Sequence, residues 1–398
     1  MASTSDFKHG GTRSAAVYTA ETDSAAAGRH LGAQVREALG GEVPDAVVVF
    51  ASSRFQHTTL LEALKDGCRP KLIVGSSSAG EFTGGERGEG TACALALRSS
   101  HVQFAAGLGR QVGADRARAA RDLVATFRGL ETRDFPYRAA VVMTDALAGH
   151  ADDLVEQLTV VTSGKYQFAG GGAGDDARFT RTHVFYGTEA FTDAVVALEV
   201  LSPRPIGIGV GHGWTPAGPG LRVTEADGMR VISLNGLPAV EAFEEHAAQS
   251  GQPFDRSNGL PFFLHNILGI DTGAGHRLRV PLAANADGSV TCAAEIPTGA
   301  RVHIMKATAD SAITAARKAT ETAVDKLLGQ PPGAALFFDC VATRLRMGDV
   351  FGFEVDTVSG LLGGAGLVGC NTYGQIARAD GQFGGFHNCT AVVLVLPA

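Results

Sequence analysis

Short apolar runs alternate with polar and helical segments along the chain, and the same order of segments recurs three times. Residues 45–50 (DAVVVF), 138–143 (RAAVVM) and 334–338 (AALFF) have the pattern of buried strands. A polar loop, a short helical stretch and a second apolar run follow each of them. A glycine-rich turn and one more apolar strand then complete the unit. The pattern therefore predicts three related repeats.

Signals for helix starts extend each repeat upstream. A Thr, Asp or Ser stands before an alanine-rich run near residues 22, 113 and 308, where its side chain can cap the first helical turn. The short strands that precede these helices are residues 16–18, 102–105 and 302–305. Each repeat is predicted to run strand, helix, strand, short helix, strand, turn, strand. This order makes the fold class α/β, with mixed β-sheets flanked by helices.

The pattern of repeats breaks in the middle of the chain. Residues 203–299 carry a Pro/Gly turn, strand-like pairs and one helix, which predicts a β-rich insertion of PAS-like proportions. Repeats one and two fill an N-terminal domain at residues 15–202, and the insertion and repeat three (residues 300–398) form a C-terminal domain. Residues 1–14 are polar and lack the apolar segment of a secretory signal, so we expect a disordered tail.

Each repeat contains a glycine-rich turn, at residues 75–80, 170–174 and 369–374. Glycine is needed where the backbone takes a positive φ or approaches a partner closely. A polar residue follows each turn, and if the turns converge, these side chains and the turn amides form the floor of a pocket. The predicted ligand contacts of this pocket are Ser77, Gly80, Glu81, Gly172, Asp175, Asn371 and Gln375.

Composition narrows the class of protein. The chain has 398 residues, a net charge of −7 and no Lys/Arg cluster interleaved with aromatic residues, which disfavours nucleic-acid binding. No apolar run approaches the roughly 20 residues of a membrane span. The six cysteines show no Cys-x-x-Cys pair and no zinc spacing, which indicates a reduced protein. We therefore expect a cytoplasmic protein that binds neither membranes nor nucleic acid.

Several motifs, taken in order, resemble those of a known family. Residues 72–81 (LIVGSSSAGE) and 168–179 (FAGGGAGDDARF) resemble the FIST N-terminal domain. Residues 338–344 (FDCVATR) and 386–390 (FHNCT) resemble the FIST C-terminal domain. The resemblance covers nearly the whole chain, and the order and spacing of the motifs make it specific. Gln375 departs from the pattern, because the family has Glu there.

The resemblance implies a function. FIST proteins are small-ligand sensory domains in signal transduction, and one branch is similar to haem-binding, nitric-oxide-sensing proteins that regulate histidine kinases. It implies a sensor and not an enzyme, with haem and nitric oxide or an amino-acid-like metabolite as the ligand. The sequence has no kinase, cyclase or methyl-accepting segment. We therefore expect it to signal in trans to a partner, such as the histidine kinase of a two-component system.

Four further side chains, those of His212, Trp214, His387 and Arg344, are candidates for ligand or metal binding. His212 lies in a glycine-rich run beside Trp214. It is an axial haem ligand, or a residue of the ligand pocket with the Trp214 indole as one wall of that pocket, or a histidine that forms hydrogen bonds with the backbone. His387 precedes the last strand. It is the alternative haem ligand, or it binds a ligand carboxylate, or it caps a turn. Arg344 either binds a ligand carboxylate or forms an ion pair with Glu354.

An enzymatic function is the alternative from a different class. A hydrolase or transferase would use Ser77 or Ser78, or Cys340 with a histidine, as the nucleophile in the glycine-rich cleft. The sequence shows no complete set of nucleophile, base and orienting residue. The glycine-rich turns also lack the Lys-Ser/Thr of a phosphate-binding loop. The sensor is therefore the first hypothesis.

Overall fold

The computed structural model describes residues 11–379 and 385–398, and it confirms an α/β fold of mixed sheets flanked by helices. Most of the predicted tail, residues 1–14, lies outside the described residues. The tail is nevertheless shorter than predicted, because the first strand begins at Thr12, which pairs with Ser99 of the same sheet. Within the described part of the chain, no helix is long and apolar enough to cross a membrane.

Repeats one and two have the predicted order of elements. Repeat one consists of β1 (Thr12–Thr19), α1 (Ser24–Ala38), β2 (Ala46–Ser52), α2 (His57–Cys68), β3 (Leu72–Ser78), β4 (Glu81–Thr83), β5 (Arg87–Gly88) and β6 (Ala92–Ser99). Repeat two consists of β7 (Gln103–Arg110), α3 (Arg116–Val124), β8 (Tyr137–Thr144), α4 (Ala151–Val161), β9 (Gln167–Gly172), β10 (Val184–Tyr186), β11 (Glu189–Phe191) and β12 (Ala194–Ser202).

Repeat three is interrupted after its first strand, β13 (Gly207–Gly211). The insertion consists of β14 (Thr215–Pro216), β15 (Leu221–Asp227), β16 (Arg230–Leu234), β17 (Leu237–Pro238), α5 (Ala239–Ser250), α6 (Leu260–Phe263), β18 (Ile267–Asp271), β19 (His276–Arg279), β20 (Pro281–Ala284), β21 (Val290–Cys292) and β22 (Arg301–Lys306). The rest of repeat three is α7 (Ala309–Asp325), β23 (Pro332–Cys340), α8 (Val341–Met347), α9 (Phe351–Gly360), β24 (Gly366–Thr372), β25 (Gln375–Arg378), β26 (Gly385–His387) and β27 (Ala391–Pro397).

The boundaries of the insertion differ from the predicted 203–299. Strand β13 pairs with β27 and so belongs to the sheet of repeat three. Strand β22 pairs with β18 and β15 in the sheet of the insertion. The prediction that residues 302–305 open repeat three is therefore wrong. The apolar alternation of β22 stands directly before α7 in sequence, whereas the true first strand is separated from that helix by the whole insertion.

The three repeats form three separate sheets with the same strand order. In each one the second and third strands are parallel neighbours, and the last strand lies antiparallel between the first and the second. The short hairpins after the glycine-rich turns are exchanged: β4–β5 pairs with β24, β10–β11 with β3, and β25–β26 with β9. Each repeat thus completes the sheet of another one, which brings the three turns to one place.

The sheets surround a common core, and the helices cover their outer faces. Phe50, Leu198 and Phe338, one from each repeat, are fully buried in a single cluster, and the rings of Phe50 and Phe338 meet edge to face at 5.6 Å. Separate clusters join each outer face to its own helices. This arrangement explains why strands such as Ala46–Ser52 are apolar at every position: both of their faces are covered.

The predicted helix caps are present. Asp23 accepts a hydrogen bond from the backbone of Ala26 at 2.8 Å, and Asp115 caps α3 in the same way. In repeat three the cap is Thr308, which forms a reciprocal capping box with Ser311. These contacts satisfy amides that have no partner within the helix, and they fix where α1, α3 and α7 begin.

Candidate functional site

The three glycine-rich turns meet at one point of the molecule through main-chain hydrogen bonds. Turns of all three repeats take part, and each contacts the other two. The bonds run from Ala79 N to the Asn371 carbonyl (2.9 Å), from Gly174 N to the Ser77 carbonyl (2.9 Å) and from Tyr373 N to the Gly172 carbonyl (2.9 Å). The turns converge as the repeat pattern suggested, and the exchange of hairpins between repeats brings them together.

The turns contain glycine because they lie in close contact with one another and with neighbouring side chains. Gly80 has a φ of +136° and Gly374 a φ of +100°, a region that L side chains rarely adopt. At Gly174 the φ is ordinary, but an added Cβ would lie 2.9 Å from Ala79 N. At Gly374 an added Cβ would lie 2.1 Å from the ring of Phe386. All three positions therefore require a residue without a side chain.

Two of the polar side chains that follow the turns are bonded internally. Glu81 is buried and accepts hydrogen bonds from Ser78 Oγ (2.5 Å) and Thr91 Oγ1 (2.7 Å). Burial raises the pKa of Glu81 to about 7. The Gln375 side chain donates to Thr372 Oγ1 at 2.8 Å and accepts from the backbone of Thr390 at 3.2 Å. In this conformation both groups organise the turns.

Asp175 is also used internally, within the long loop that leads from β9 to β10. Its carboxylate accepts hydrogen bonds from the hydroxyl of Tyr373 and from the backbone amides of Phe179, Thr180 and Arg181. Burial opposes ionisation of this group, but the bond from Tyr373 and the backbone bonds lower the pKa of Asp175 below its ordinary value. The ionised carboxylate thus fixes the loop against repeat three.

The serines of the first turn are bonded to groups other than a general base. Ser77 Oγ accepts from the backbone amide of His183 at 2.9 Å, and Ser78 donates to Glu81. Within the described residues, neither hydroxyl is hydrogen-bonded to a histidine ring. Asn371 differs from these residues, because its buried amide has no hydrogen-bond partner among the described residues. Its role as a ligand contact, like that of Ser77 and Gly172, stays a prediction.

Arg344 does not form the ion pair considered from the sequence. Its guanidinium pairs with Glu89 of repeat one, not with Glu354. Glu354 is instead buried next to Asp339, and burial raises the pKa of Glu354 to about 8. The two carboxyls interact with each other, and the pKa of Asp339 also lies well above its ordinary value because of burial and the nearby Glu354. Local spacing could not show that Arg344 reaches another repeat.

The two candidate haem ligands lie in different environments. His212 Nε2 lies 3.0 Å from the His276 carbonyl, and its Nδ1 accepts a hydrogen bond from Trp214 N at 3.3 Å, so both ring nitrogens are bonded to backbone. Trp214 is buried, with the guanidinium of Arg346 over its ring at 5.2 Å. His387 is 3% exposed and lies opposite Gln375 in the sheet.

A cavity of about 390 Å³ lies between repeats two and three and the insertion. It is mostly apolar, and its lining includes Leu147, Phe179, Leu264, Val280, Leu282, Val341, Leu345 and Phe386. Neither His212 nor His387 is among its lining residues, nor are Glu81, Asp175 and Gln375. Cys340, a candidate nucleophile from the sequence, is among its lining residues. Tyr373 and Gly374 connect the cavity to the converging turns.

The rim of this cavity exposes large apolar side chains. Leu147, Phe179, Met229 and Leu345 all line it and are each between 40 and 44% exposed. They come from repeat two, the insertion and repeat three, and Phe179 stacks on Tyr373 at 4.3 Å. An apolar rim that continues into an apolar cavity is typical of a binding site for a small molecule.

Charged groups close one side of the cavity. His150 Nδ1 lies 2.6 Å from Glu295 Oε1, and this pair joins repeat two to the insertion. Asp152 binds Arg279, whose side chain is 1% exposed. These pairs make the charged edge of the cavity part of the contact between the insertion and the repeats.

The polar groups on the cavity wall include two cysteines with opposite environments. The Cys340 sulphur is faced by the thiol and the backbone amide of Cys389 and by the amides of Ala342 and Gln375, and these donors lower its pKa to about 6 in spite of burial. Burial raises the pKa of Cys292 to about 12. Hydrogen-bond donors thus favour the thiolate form of Cys340, and burial favours the protonated form of Cys292.

A metal centre built only from side chains is not found. Among residues 11–379 and 385–398, no group of three or more His, Cys, Asp or Glu side chains could hold a metal ion. A haem bound through His212 would require that at least one of its two backbone bonds be broken. A haem bound through His387 would lie outside the apolar cavity. These two histidines therefore do not fit a haem in the cavity.

The fold and the cavity define a three-repeat α/β protein with an inserted β-rich domain and an apolar cleft where they meet. The FIST N domain model matches residues 45–237, and the FIST C domain model matches residues 239–378. The chain belongs to the FIST domain family, whose members are generally small-ligand sensor domains of signalling proteins. The two models meet within the insertion, not at residue 203.

Relatives in mycobacteria cover most of the chain. It is similar to the uncharacterized protein Rv0628c of Mycobacterium tuberculosis, with 25% identity over 375 residues, 90% of this chain and 93% of that protein. It is also similar to the uncharacterized protein Mb0898c of Mycobacterium bovis, with 27% identity over 241 residues, 56% of this chain and 57% of that protein. Their names assign no function.

Similarity to solved structures is weak. The comparison with cyanuric acid hydrolase from A. caulinodans gives a TM-score of 0.32 at 7% identity, over 97% of this chain and 99% of that one. The comparison with PurLQS from Thermotoga maritima gives a TM-score of 0.22 at 11% identity, over 98% and 74% of the two chains. At these scores the similarity carries no functional argument.

Proposed function

We propose that the protein is a sensor that binds a small, mainly apolar ligand in the cavity between the insertion and repeats two and three. The observation that carries the proposal is the cavity itself. Its volume of about 390 Å³ falls within the roughly 300–1,000 Å³ of small-molecule sites. Its apolar lining favours burial of a hydrocarbon or aromatic body, whereas Asn388, Tyr373 and Cys340 offer polar contacts at the inner wall.

Signalling follows from where the walls of the cavity come from. A ligand in the cavity contacts the insertion and the repeats together, so it stabilises the arrangement in which they are closed around it. A ligand shifts an equilibrium only by its differential affinity for the two states. When the insertion is closed against the repeats, the surface that a separate protein can contact differs from the surface of the open arrangement. A histidine kinase is the partner that we propose from the family resemblance, with the signal transmitted in trans.

Haem and nitric oxide remain a separate proposal for the ligand. The lining of the cavity favours an apolar organic ligand over a haem held by His212 or His387, because neither histidine reaches the cavity. An absorbance spectrum of the protein purified from its own cells decides between them. A Soret band that shifts in a His212→Ala or His387→Ala variant would support haem. The absence of this band, with an organic molecule in the solvent extract, would support the apolar ligand.

Binding to the cavity can be tested with a fluorescent apolar probe, 8-anilinonaphthalene-1-sulfonate. The variant Ala293→Trp fills the cavity from the insertion, and Ala38→Trp places the same side chain at an exposed site of helix α1 in repeat one, which contributes no lining residue. We expect Ala293→Trp to weaken binding about tenfold or more, which is about 1.4 kcal/mol, and Ala38→Trp to leave it unchanged. Equal binding by all three proteins would place the probe elsewhere and contradict the proposal.

Enzymatic catalysis by a thiol is the second candidate function, and one observation favours it. Cys340 lines the cavity and its pKa of about 6 makes it ionised at neutral pH. A cysteine nucleophile also needs a base or acid for the later steps, and the only histidine that lines the cavity among the described residues, His150, is paired with Glu295 at its edge. Catalytic turnover would be established if the protein formed more than one equivalent of product from an added substrate.

A further inference from the structure

Two cysteines line the same apolar cavity, and only one of them is surrounded by hydrogen-bond donors. Cys340 stands at the end of β23, and its thiol is in the buried cluster that also contains Cys389. Cys292, on β21 of the insertion, lies among apolar residues, and burial raises its pKa to about 12. The other cysteines are not among the lining residues. The cavity therefore contains one cysteine whose thiolate form is stabilised, Cys340, and a second cysteine, Cys292, that serves as its control.

Charges around Cys340 permit it to ionise. Its neighbour Asp339 and Glu354 are buried carboxyls, and burial raises the pKa values of both, that of Glu354 to about 8, which favours their neutral forms and weakens their repulsion of a thiolate. The guanidinium of Arg346 adds a positive charge near Glu354 and Cys389.

Burial raises the pKa values of Cys292 and Tyr373, two titratable groups of the cavity lining. The charged groups on the other walls belong to the charged edge of the cavity. These groups are His150, Asp152 and Glu295, and each is already held in an ion pair. On the side of repeat three, the group that faces Cys340 directly is the thiol of Cys389, which keeps its proton because its own pKa is well above the ordinary value. That proton is available to a product formed on Cys340.

We propose that Cys340 is a nucleophile that captures an electrophilic ligand in the cavity, and that the ligand class is an apolar α,β-unsaturated carbonyl compound. The sulphur of Cys340 forms a bond to the β-carbon of the ligand, and the carbon–carbon double bond breaks as its electron pair moves towards the carbonyl. A proton adds to the α-carbon, so the thiol and the alkene become one thioether, with no oxidant or reductant. This proposal rests on the proposed function, because it identifies the class of ligand for the same cavity.

The lining of the cavity matches this class. The thiolate lies at an inner wall, and the apolar lining and rim can hold the hydrocarbon tail of such a ligand. A pKa of about 6 for Cys340 against about 12 for Cys292 gives a difference on the order of 10⁵ in thiolate fraction at neutral pH. The lower intrinsic nucleophilicity of the more acidic thiol offsets part of it. Cys340 should react on the order of a hundredfold faster.

The test is to incubate the full chain with trans-2-nonenal at neutral pH and to follow its intact mass, with peptide mapping of the adduct. We expect one equivalent of probe on Cys340 and none on Cys292. The variant Cys340→Ser should lose the adduct, and the matched variant Cys292→Ser should keep it. A further variant, Cys389→Ala, should form the adduct more slowly at neutral pH, because it removes the thiol donor that faces Cys340. An adduct mainly on Cys292, or none on either cysteine, would overturn the proposal.

The dependence of the rate on pH separates a reactive thiolate from mere accessibility. The rate constant for Cys340 should rise through a midpoint near pH 6 and then level off, because the thiolate is the attacking form. A rate that keeps rising to pH 9 would contradict the proposal. Binding of 8-anilinonaphthalene-1-sulfonate, measured on the same samples, distinguishes the two failures. If the fluorescent probe binds in the cavity but Cys340 does not react, only the covalent step is wrong; if neither occurs, the cavity is not the site.

Discussion

Replacement of Arg279 by Met should loosen the insertion from the repeats. The Arg279 side chain is 1% exposed, and its guanidinium donates to the carbonyls of Glu295 (2.9 Å), Leu278 (2.9 Å) and Phe386 (3.1 Å) and to the carboxylate of Asp152. Methionine keeps much of the length and apolar volume but none of the donors. The substitution therefore removes a buried charge that joins the insertion to repeats two and three.

The expected loss follows from what the substitution leaves behind. Removal of one partner of a buried ion pair costs about 3–5 kcal/mol, because the other charge is left without compensation. The side chain of Asp152 is 25% exposed, and Arg277 Nη1 remains 3.6 Å from its carboxylate in the variant. Water and this second cation compensate part of the charge, so the loss should be near the lower end, about 3 kcal/mol. The exposed pair of Arg230 and Asp287, also in the insertion, provides the control, and Arg230→Met should cost at most about 1 kcal/mol.

Urea unfolding followed by the fluorescence of Trp214 measures both variants. This residue is the single tryptophan of the chain and packs in the cluster where the insertion meets repeat three, so its signal reports on that contact. We expect Arg279→Met to unfold at a clearly lower urea concentration than Arg230→Met. If the two variants lose equal stability, the buried guanidinium does not hold the insertion in place and the reasoning is refuted.

Two more predictions concern the turns and the buried carboxyls. Gly374→Ala should destabilise the protein by about 1–3 kcal/mol more than Gly41→Ala. Both glycines have a positive φ, but only at Gly374 would an added Cβ lie against the ring of Phe386. Equal urea midpoints for the two variants would exclude this contact. For Glu354 the folded pKa is raised to about 8 from an ordinary 4.5, so its contribution to stability is fully present below pH 4.5 and is lost as the pH rises towards 8. Glu354→Gln should flatten that part of the stability profile, and an unchanged slope between pH 4.5 and 8 would contradict the assignment.

The repeats and most of their elements could be predicted from the sequence. Continuous apolar runs, capping residues and glycine-rich turns are local signals, and the structure has strands, helices and turns where they occur. The exchange of hairpins could not be predicted, because β4 and its partner β24 are far apart in sequence and local patterns do not specify which sheet edge a hairpin pairs with. The first strand of repeat three was missed for a related reason. Its five residues, GIGVG, are separated from helix α7 by the whole insertion. Local patterns cannot show that a strand belongs with a helix so much further along the chain.

The candidate site, too, could be predicted from the sequence only in part. The convergence of the turns followed from the repeats, but the use of Glu81, Asp175 and Gln375 inside them did not, because a buried polar side chain and a ligand contact have the same sequence signal. The cavity was missed because its walls are ordinary apolar residues from three distant parts of the chain. Cys340 was singled out only as a generic nucleophile. Its neighbour Cys389, 49 positions later in the sequence, makes it distinctive.

The most direct test of the central claim is hydrogen–deuterium exchange with and without 8-anilinonaphthalene-1-sulfonate. A ligand in the cavity contacts the insertion and repeats two and three at once. We therefore predict slower exchange in three separated segments, residues 146–152, 278–282 and 341–345, and no change in helices α1 and α2 of repeat one. Protection confined to one of these segments, or located in repeat one, would contradict a binding site formed between the insertion and the repeats.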